Sequence, residues 1–247
     1  MADIVVSLLT MTYNRLELSK MYIPRFIESV GDIAFEVLIW DNASNDGSCD
    51  WVYEYGLREH KVYKTFLADK NIGMEAFNTM AQEARGKYII KVDDDLLLPF
   101  HFADRLVQAF EHVNEPKLLF LGWDMCWPSR NGTTFGTRSG MTLYQGNNGK
   151  IVKVDKRDSV FINYHPDKWL VNGVCRLSTK KQFLDIGGHP KGIIYGVDDP
   201  MCKRAAEHGY WIGYLNSDDV VYHKGLNDDK AYRSMKDIEL QRAARAS

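Results

Sequence analysis

The chain has 247 residues, 45% of them hydrophobic and 26% charged, the proportions of an ordinary soluble globular protein. That balance excludes a disordered, collagen-like or disulfide-dense chain, and the length accommodates one large domain or two small ones. Lys and Arg number 31 against 33 Asp and Glu, a formal charge of -2, so no global basic excess marks a nucleic-acid binder, although a local one can hide inside a balanced total.

Residues 4–9 predict a buried strand, followed by the polar segment Thr10-Met11-Thr12-Tyr13-Asn14-Arg15. Leu16, Met21, Ile23, Phe26, Ile27 and Val30 fall near a 3.6-residue period and predict a helix that Gly31 stops. A second apolar run, Phe35–Trp40, ends in the octet Asp41–Ser48, which is dense in turn-forming and helix-capping residues. Residues 51–57 then predict a helix, 62–67 a strand, and 74–84 an amphipathic helix closed by Gly86. Tyr88–Val92 predicts a strand that runs straight into Asp93-Asp94-Asp95, with a helix over 102–112 and a strand over 118–123 beyond it. This alternation predicts an α/β fold with a mostly parallel mixed sheet. Ligands of such sheets sit beyond the carboxyl ends of the strands, so the segments 10–15, 41–48 and 93–95 should converge on one crevice.

The stretch 124–170 is rich in Gly, Asn, Ser and Thr and predicts an irregular insert with short β-like pieces at 141–144, 151–154 and 160–164. Helical patterns return at 179–186 and 200–207, a late strand is expected at 220–222, and 228–246 predicts a C-terminal helix. The cysteines, Cys49, Cys126, Cys175 and Cys202, are at least 27 residues apart, so they form no Cys-x-x-Cys motif and suit reduced thiols. The first residues lack a signal-peptide pattern, and no apolar run approaches the ~20 residues of a membrane span, so a cytoplasmic protein without a transmembrane segment is expected.

The acidic triplet carries the sharpest chemistry. Three adjacent carboxylates at the end of an apolar strand repel one another and are costly to desolvate. A hard divalent cation, Mn2+ or Mg2+, would offset that repulsion. The other reading of such a triplet is a solvated acidic turn.

Six segments in order resemble glycosyltransferase family 2. They are Thr12–Arg15, Val37–Ser48, Asn71–Asn78, the triplet Asp93–Asp95 as an Asp-x-Asp motif, Phe183–Gly188 with Gly196–Cys202, and Val220–His223. The likeness covers roughly residues 4–225. It implies a GT-A fold and inverting, metal-dependent transfer of a sugar from a nucleotide-diphosphate sugar.

By this resemblance the donor is bound by Thr10, Thr12, Tyr13, Asn14, Arg15, Asp41, Asn71, Gly73, Asn78, Asp93 and Asp94. Asp41, at a strand end, can accept from a base imide or a ribose hydroxyl, or else cap a turn. Asp95 is the first choice as metal ligand, with Asp93 and His223 beside it. Asp198 matches the base that takes the acceptor proton, and Asp199 is the neighbouring alternative; both also suit a helix N-terminus. Phe77 stands where an arginine is common, Val197 replaces a glutamate, and His189-Pro190 replaces the usual Phe-Asp.

The expected organisation is one GT-A domain over 1–225, with a donor half (1–115) and an acceptor and catalytic half (116–225), then a helical tail (226–247). Residues 117–181 carry 11 Lys or Arg and four acids, a local charge of +7. With Trp123, Trp127, Lys150, Lys153, Arg157 and Trp169 as candidate contacts, this region suggests an anionic acceptor: a glycan, a lipid-linked phosphate or modified nucleic acid. A solvated loop face is the alternative. A nucleotide-sugar or nucleic-acid binding module without catalysis is the runner-up for the whole chain. A nucleotidyltransferase comes third, since Thr10–Arg15 lacks the glycines of a phosphate-binding loop.

Overall fold

The computed structural model describes residues 3–123, 125–128, 135–138, 149–166, 173–192, 198–219 and 221–223, with the side chains of 125–128, 135–138, 198 and 199 outside that description. The β-like piece at 141–144 and the C-terminal helix expected at 228–246 lie outside the described residues.

Apolar runs too short for helices become strands, and period-3.6 segments pack on them. In chain order these are β1 (Val6–Thr12), α1 (Leu16–Glu28), β2 (Phe35–Asp41), α2 (Ser48–Arg58) and β3 (Val62–Leu67). A 3-10 turn, Gly73–Glu75, leads into α3 (Ala76–Glu83), then β4 (Tyr88–Val92), the two-residue β5 (Leu96–Leu97), α4 (Phe102–Val113) and β6 (Leu118–Trp123). There follow β7 (Met125–Pro128), β8 (Phe135–Arg138), β9 (Gly149–Lys153), β10 (Ser159–Asn163), β11 (Cys175–Thr179), α5 (Lys180–Asp185), α6 (Asp198–Glu207), β12 (Trp211–Asn216) and β13 (Val221–His223).

Nine strands form one sheet in the order β3-β2-β1-β4-β11-β6-β12-β10-β9, and β5-β13-β7-β8 form a second. Because successive side chains of a strand leave opposite faces, each central strand feeds two cores. Leu8, Val37, Ile39 and Ile90 pack with Phe26 of α1, Val52 of α2 and Leu106 of α4 on one face. Leu9, Leu38, Trp40 and Ile89 pack with Phe77 and Met80 of α3, Phe183 of α5 and Met201 of α6 on the other. The result is a helix–sheet–helix sandwich.

The parallel half expected from the sequence is β3-β2-β1-β4, joined by the parallel pair β6-β12. The other four pairings in the large sheet are antiparallel, because β11 runs down between β4 and β6 and the hairpin β9-β10 closes onto β12. Neither β11 nor β12 stands out in the sequence. β11 carries a charged residue, Arg176, at its second position, and β12 a glycine, Gly213, where an added Cβ would lie 3.1 Å from Phe161 O. Among the described residues no helix is long and apolar enough to cross a membrane.

Candidate active site

Parallel register puts Thr12 at the end of β1 beside Asp41 at the end of β2, with the end of β4 on the other side of β1. The three loops therefore meet, as the chain pattern requires. Asn14 takes a left-handed backbone (φ 51), which turns the chain sharply between β1 and α1. Its N–H donates to Ser44 Oγ at 2.9 Å, and Asn45 N–H donates to Asn14 Oδ1 at 2.8 Å. Asp46 completes the zip by accepting from Leu16 N–H at 2.9 Å and Ser48 N–H at 3.0 Å, at the starts of α1 and α2. Burial would raise its carboxyl, but hydrogen bonds from Ser48 and Leu16 hold it below the usual carboxylate range.

Asp41 is fully buried. Its Oδ2 accepts from Ser44 N–H at 2.9 Å, while Oδ1 is buried and has no hydrogen bond. Burial raises its pKa against the opposing pull of the Ser44 bonds. A buried acceptor without a donor is costly unless a ligand supplies one. Thr10 Oγ1 on β1 is in the same condition. Tyr13 is half-buried in the first loop.

The acidic triplet divides its work. Arg15 reaches across from the first loop, with one guanidinium nitrogen 2.7 Å from Asp94 Oδ1 and the other bonded to Asp95 Oδ2. All three side chains are at least nine-tenths buried. Ser19 Oγ donates to Asp94 Oδ2 at 2.9 Å, so Thr12 Oγ1, 2.7 Å from Ser19 Oγ, is the donor in that pair. Asp94 is thus fixed by Arg15 and Ser19, and burial raises its carboxyl despite Arg15. Burial also works against the Asp95 charge, but Arg15 and then His223 outweigh it and hold that carboxyl down.

Asp95 Oδ1 makes no hydrogen bond and faces His223 Nε2 at 3.4 Å. Pairing of β13 with β5 sets His223 opposite Leu96, the residue after the triplet. Ligand atoms of Asp93, Asp95 and His223 all lie within 4.8 Å of one another. Two carboxylates and an imidazole, one carboxylate oxygen lacking a donor, are a donor set that fits Mn2+ or Mg2+. Asp93 is the most exposed of the triplet and is paired with Lys91 of β4, which also donates to Gly173 O at 2.6 Å.

Asn71, Gly73 and Asn78, also expected donor contacts, tie the surrounding loops together. Asn71 Oδ1 accepts from Gly73 N–H at 2.8 Å and from Asn42 Nδ2 at 2.7 Å, and Gly73 has φ 60. Asn42 Oδ1 in turn accepts from Ile72 N–H at 3.0 Å. Asn78 clamps a distant turn, donating from Nδ2 to His189 O at 2.8 Å and accepting from His189 N–H at 2.7 Å. Sequence reasoning missed Ser19, Asn42 and Lys91. Only Lys91 left a signal, as a lone charge inside the apolar run of β4.

Asp198 and Asp199 begin α6, as their helix-start reading anticipates; their side chains lie outside the described residues. Among the described residues, the acceptor candidates do not gather at the crevice. Trp123 is fully buried, donating to Asp219 O at 3.2 Å with the Arg105 guanidinium 4.8 Å from its ring centroid, so it offers no face for stacking. Lys150 and Lys153 lie on β9, the far edge of the sheet, and Arg157 lies in the β9–β10 turn, paired with Asp219. Five strand spacings separate β9 from β4, about 24 Å at roughly 4.8 Å each. The described positive charges of 117–181 are therefore spread across the sheet, because a window of sequence is not a patch of surface. Trp127 lies in β7 with its side chain outside the described residues, and so does Trp169 as a whole.

Comparison with known proteins agrees with this architecture. Residues 7–121 match the model of Glycosyl transferase family 2. The fold matches a mannosyltransferase, PcManGT from Pyrobaculum calidifontis, solved with GDP-Man and Mn2+, at TM-score 0.65 and 18% identity over 94% of this chain and 59% of that one. It also matches S. aureus TarS solved with UDP-GlcNAc, at TM-score 0.62 and 18% identity over 93% of this chain and 62% of that one. In sequence, the chain is 28% identical over 94 residues to TuaG of Bacillus subtilis (strain 168), named as a candidate teichuronic acid biosynthesis glycosyltransferase, over 37% of this chain and 36% of that protein. The matched segments span about a quarter to a third of the curated relatives' length. The fold is that of the GT-A glycosyltransferases, and residues 7–121 carry the family 2 signature.

Proposed function

We propose that this chain is an inverting glycosyltransferase that moves a sugar from a nucleotide-diphosphate sugar to an acceptor hydroxyl. The observation that carries the reading is the buried Arg15–Asp94–Asp95 clamp with Asp93 and His223 beside it, at the strand ends where a GT-A fold binds its donor. Asp41 and Thr10, each with a buried oxygen lacking a partner, supply polar contacts for the base and ribose. The solved neighbours carry GDP-Man with Mn2+ or UDP-GlcNAc, which supports the same donor class here.

Inversion means that the acceptor oxygen bonds to the anomeric carbon on the face opposite the departing nucleotide diphosphate. The acceptor proton must go to a base as that bond forms, and Asp198 at the start of α6 is the proposed base, with Asp199 next to it. Asp93, Asp95 and His223 would hold a divalent cation, which when bound neutralises charge on the leaving diphosphate. Arg15 keeps Asp94 and Asp95 ionised and oriented. Lys91, paired with Asp93, is a cation close to the position where Phe77 replaces the family's arginine, its Nζ 5.5 Å from the Phe77 ring centroid.

A panel of nucleotide sugars with Mn2+, read by thermal shift and by donor hydrolysis, tests the donor class. Stabilisation by no nucleotide sugar would refute it. Asp198→Asn should keep donor binding and lose transfer; near-normal turnover would remove Asp198 from the role.

A further inference from the structure

Under α3 and α5 the sheet face holds a small cavity lined by Phe77, Lys91, Phe120, Arg176, Ser178 and His189, with room for about one water-sized guest. Its charge is out of balance. Lys91 on β4 and Arg176 on β11 stand directly opposite each other in the antiparallel register. Both side chains therefore leave the same face, and like charges so placed repel. They are only 8% and 3% exposed.

Lys91 has compensation in Asp93 and the Gly173 carbonyl. Arg176 has none: among the described residues no carboxylate pairs with it, and its Nη1 is buried without a hydrogen bond. What its guanidinium does touch is the Phe120 ring, 4.2 Å from the centroid. His189, 2% exposed, closes the cavity, and its Nδ1 is likewise buried without a partner. Burial, then Arg176, Lys91 and Arg204, hold the imidazole far below its ordinary pKa, so it is neutral near pH 7 and free to donate one N–H.

We propose that this cavity binds a small monovalent anion of the size and charge of chloride, held between Arg176 Nη1 and His189 Nδ1. A water molecule fits the space and could satisfy both nitrogens, but it leaves the buried guanidinium charge uncompensated, which is the larger cost. Phosphates and sugars are several times too large. The charge excludes a cation. The cavity adjoins the proposed donor site through Lys91, which pairs with Asp93, but its anion is held by Arg176 and His189, and the proposal stands whether or not the chain transfers sugar.

The test is thermal unfolding of the full chain in chloride against gluconate at equal ionic strength, with bromide as the crystallographic probe. Chloride should raise Tm saturably, by about 3–6 °C at ten times its dissociation constant. The rise should vanish in Arg176→Met, and crystals grown in bromide should show an anomalous peak within hydrogen-bonding distance of Arg176 Nη1. Equal Tm in the two salts, a chloride response that survives in Arg176→Met, or a water in the cavity of bromide-grown crystals would each overturn the proposal. A bromide peak without any Tm response marks an adventitious ion only and overturns it too. Should Arg176→Met fail to fold, the wild-type responses decide alone.

Discussion

Replacing Arg15 by Met removes the guanidinium that bridges Asp94 and Asp95 while keeping much of the side-chain volume. The two carboxylates it leaves are 3% and 1% exposed. Breaking a buried ion pair from one side costs about 3–5 kcal/mol, because the remaining charge stays desolvated. For a domain of this size each kcal/mol moves Tm by about 2–4 °C, so the variant should melt about 6–20 °C lower at pH 7.5 in EDTA. The sign of the pH dependence follows from the same charges. Burial already raises the Asp94 carboxyl whereas Arg15 helps hold the Asp95 carboxyl down, so removing Arg15 pushes both folded-state values upward, relative to unfolded values near 4. A group raised in this way favours folding at low pH and loses that contribution as pH rises through its folded pKa. The gap between wild type and variant should therefore shrink steadily from pH 7.5 towards pH 4.5. Differential scanning fluorimetry at several pH values reads both effects. A drop under about 2 °C at pH 7.5, or a gap that does not change with pH, would refute the claim that Arg15 compensates these carboxylates.

Asn78→Ala orphans the N–H and C=O of His189 and should cost about 2–3 kcal/mol, read as a lower urea midpoint at unchanged slope. Gly188→Ala should destabilise as well, since Gly188 has φ 62 and its Cβ would collide with Asn78 Oδ1; an unchanged midpoint would contradict that geometry. Burial raises the Asp41 carboxyl above its unfolded value, so its ionisation works against folding near neutrality. Asp41→Asn should accordingly melt higher than wild type at pH 7, with the gain fading below about pH 4, while donor binding weakens. Mn2+ should raise the Tm of wild type and not that of Asp95→Asn; an equal shift in both would place the cation elsewhere.

The fold was legible wherever local pattern and tertiary role coincide. β1, β2, β4 and β6 are buried on both faces and read as predominantly apolar runs, and α1, α3 and α4 show their stripes. β11 escaped because its residues Cys175-Arg176-Leu177-Ser178-Thr179 owe their strand state to the two neighbours that flank them. At the site, Arg15, Asp41 and the triplet could be found because each follows a strand end. The joining of Arg15 to Asp94 and Asp95 could not, since it depends on the turn at Asn14 and spans about eighty residues. The acceptor side is less legible for the opposite reason: Trp123, Lys150, Lys153 and Arg157 share a window of sequence, yet Trp123 is buried and the others lie at the far edge of the sheet.

The placement of β11 has a consequence for how the protein comes into being. It is the eighth strand of the large sheet in chain order, and β4 and β6, complete by residue 123, are not joined until residues 175–179 arrive between them. During synthesis the growing polypeptide must carry one bare edge of β4 and both edges of β6, all strongly apolar, through some fifty further residues, since the second partner of β6, β12, comes later still. Such edges are templates for pairing with other chains. A gene truncated after the family-matched segment should then yield aggregate, not a miniature nucleotide-binding unit, and the segment that a sequence comparison singles out is a kinship label without being a unit of folding.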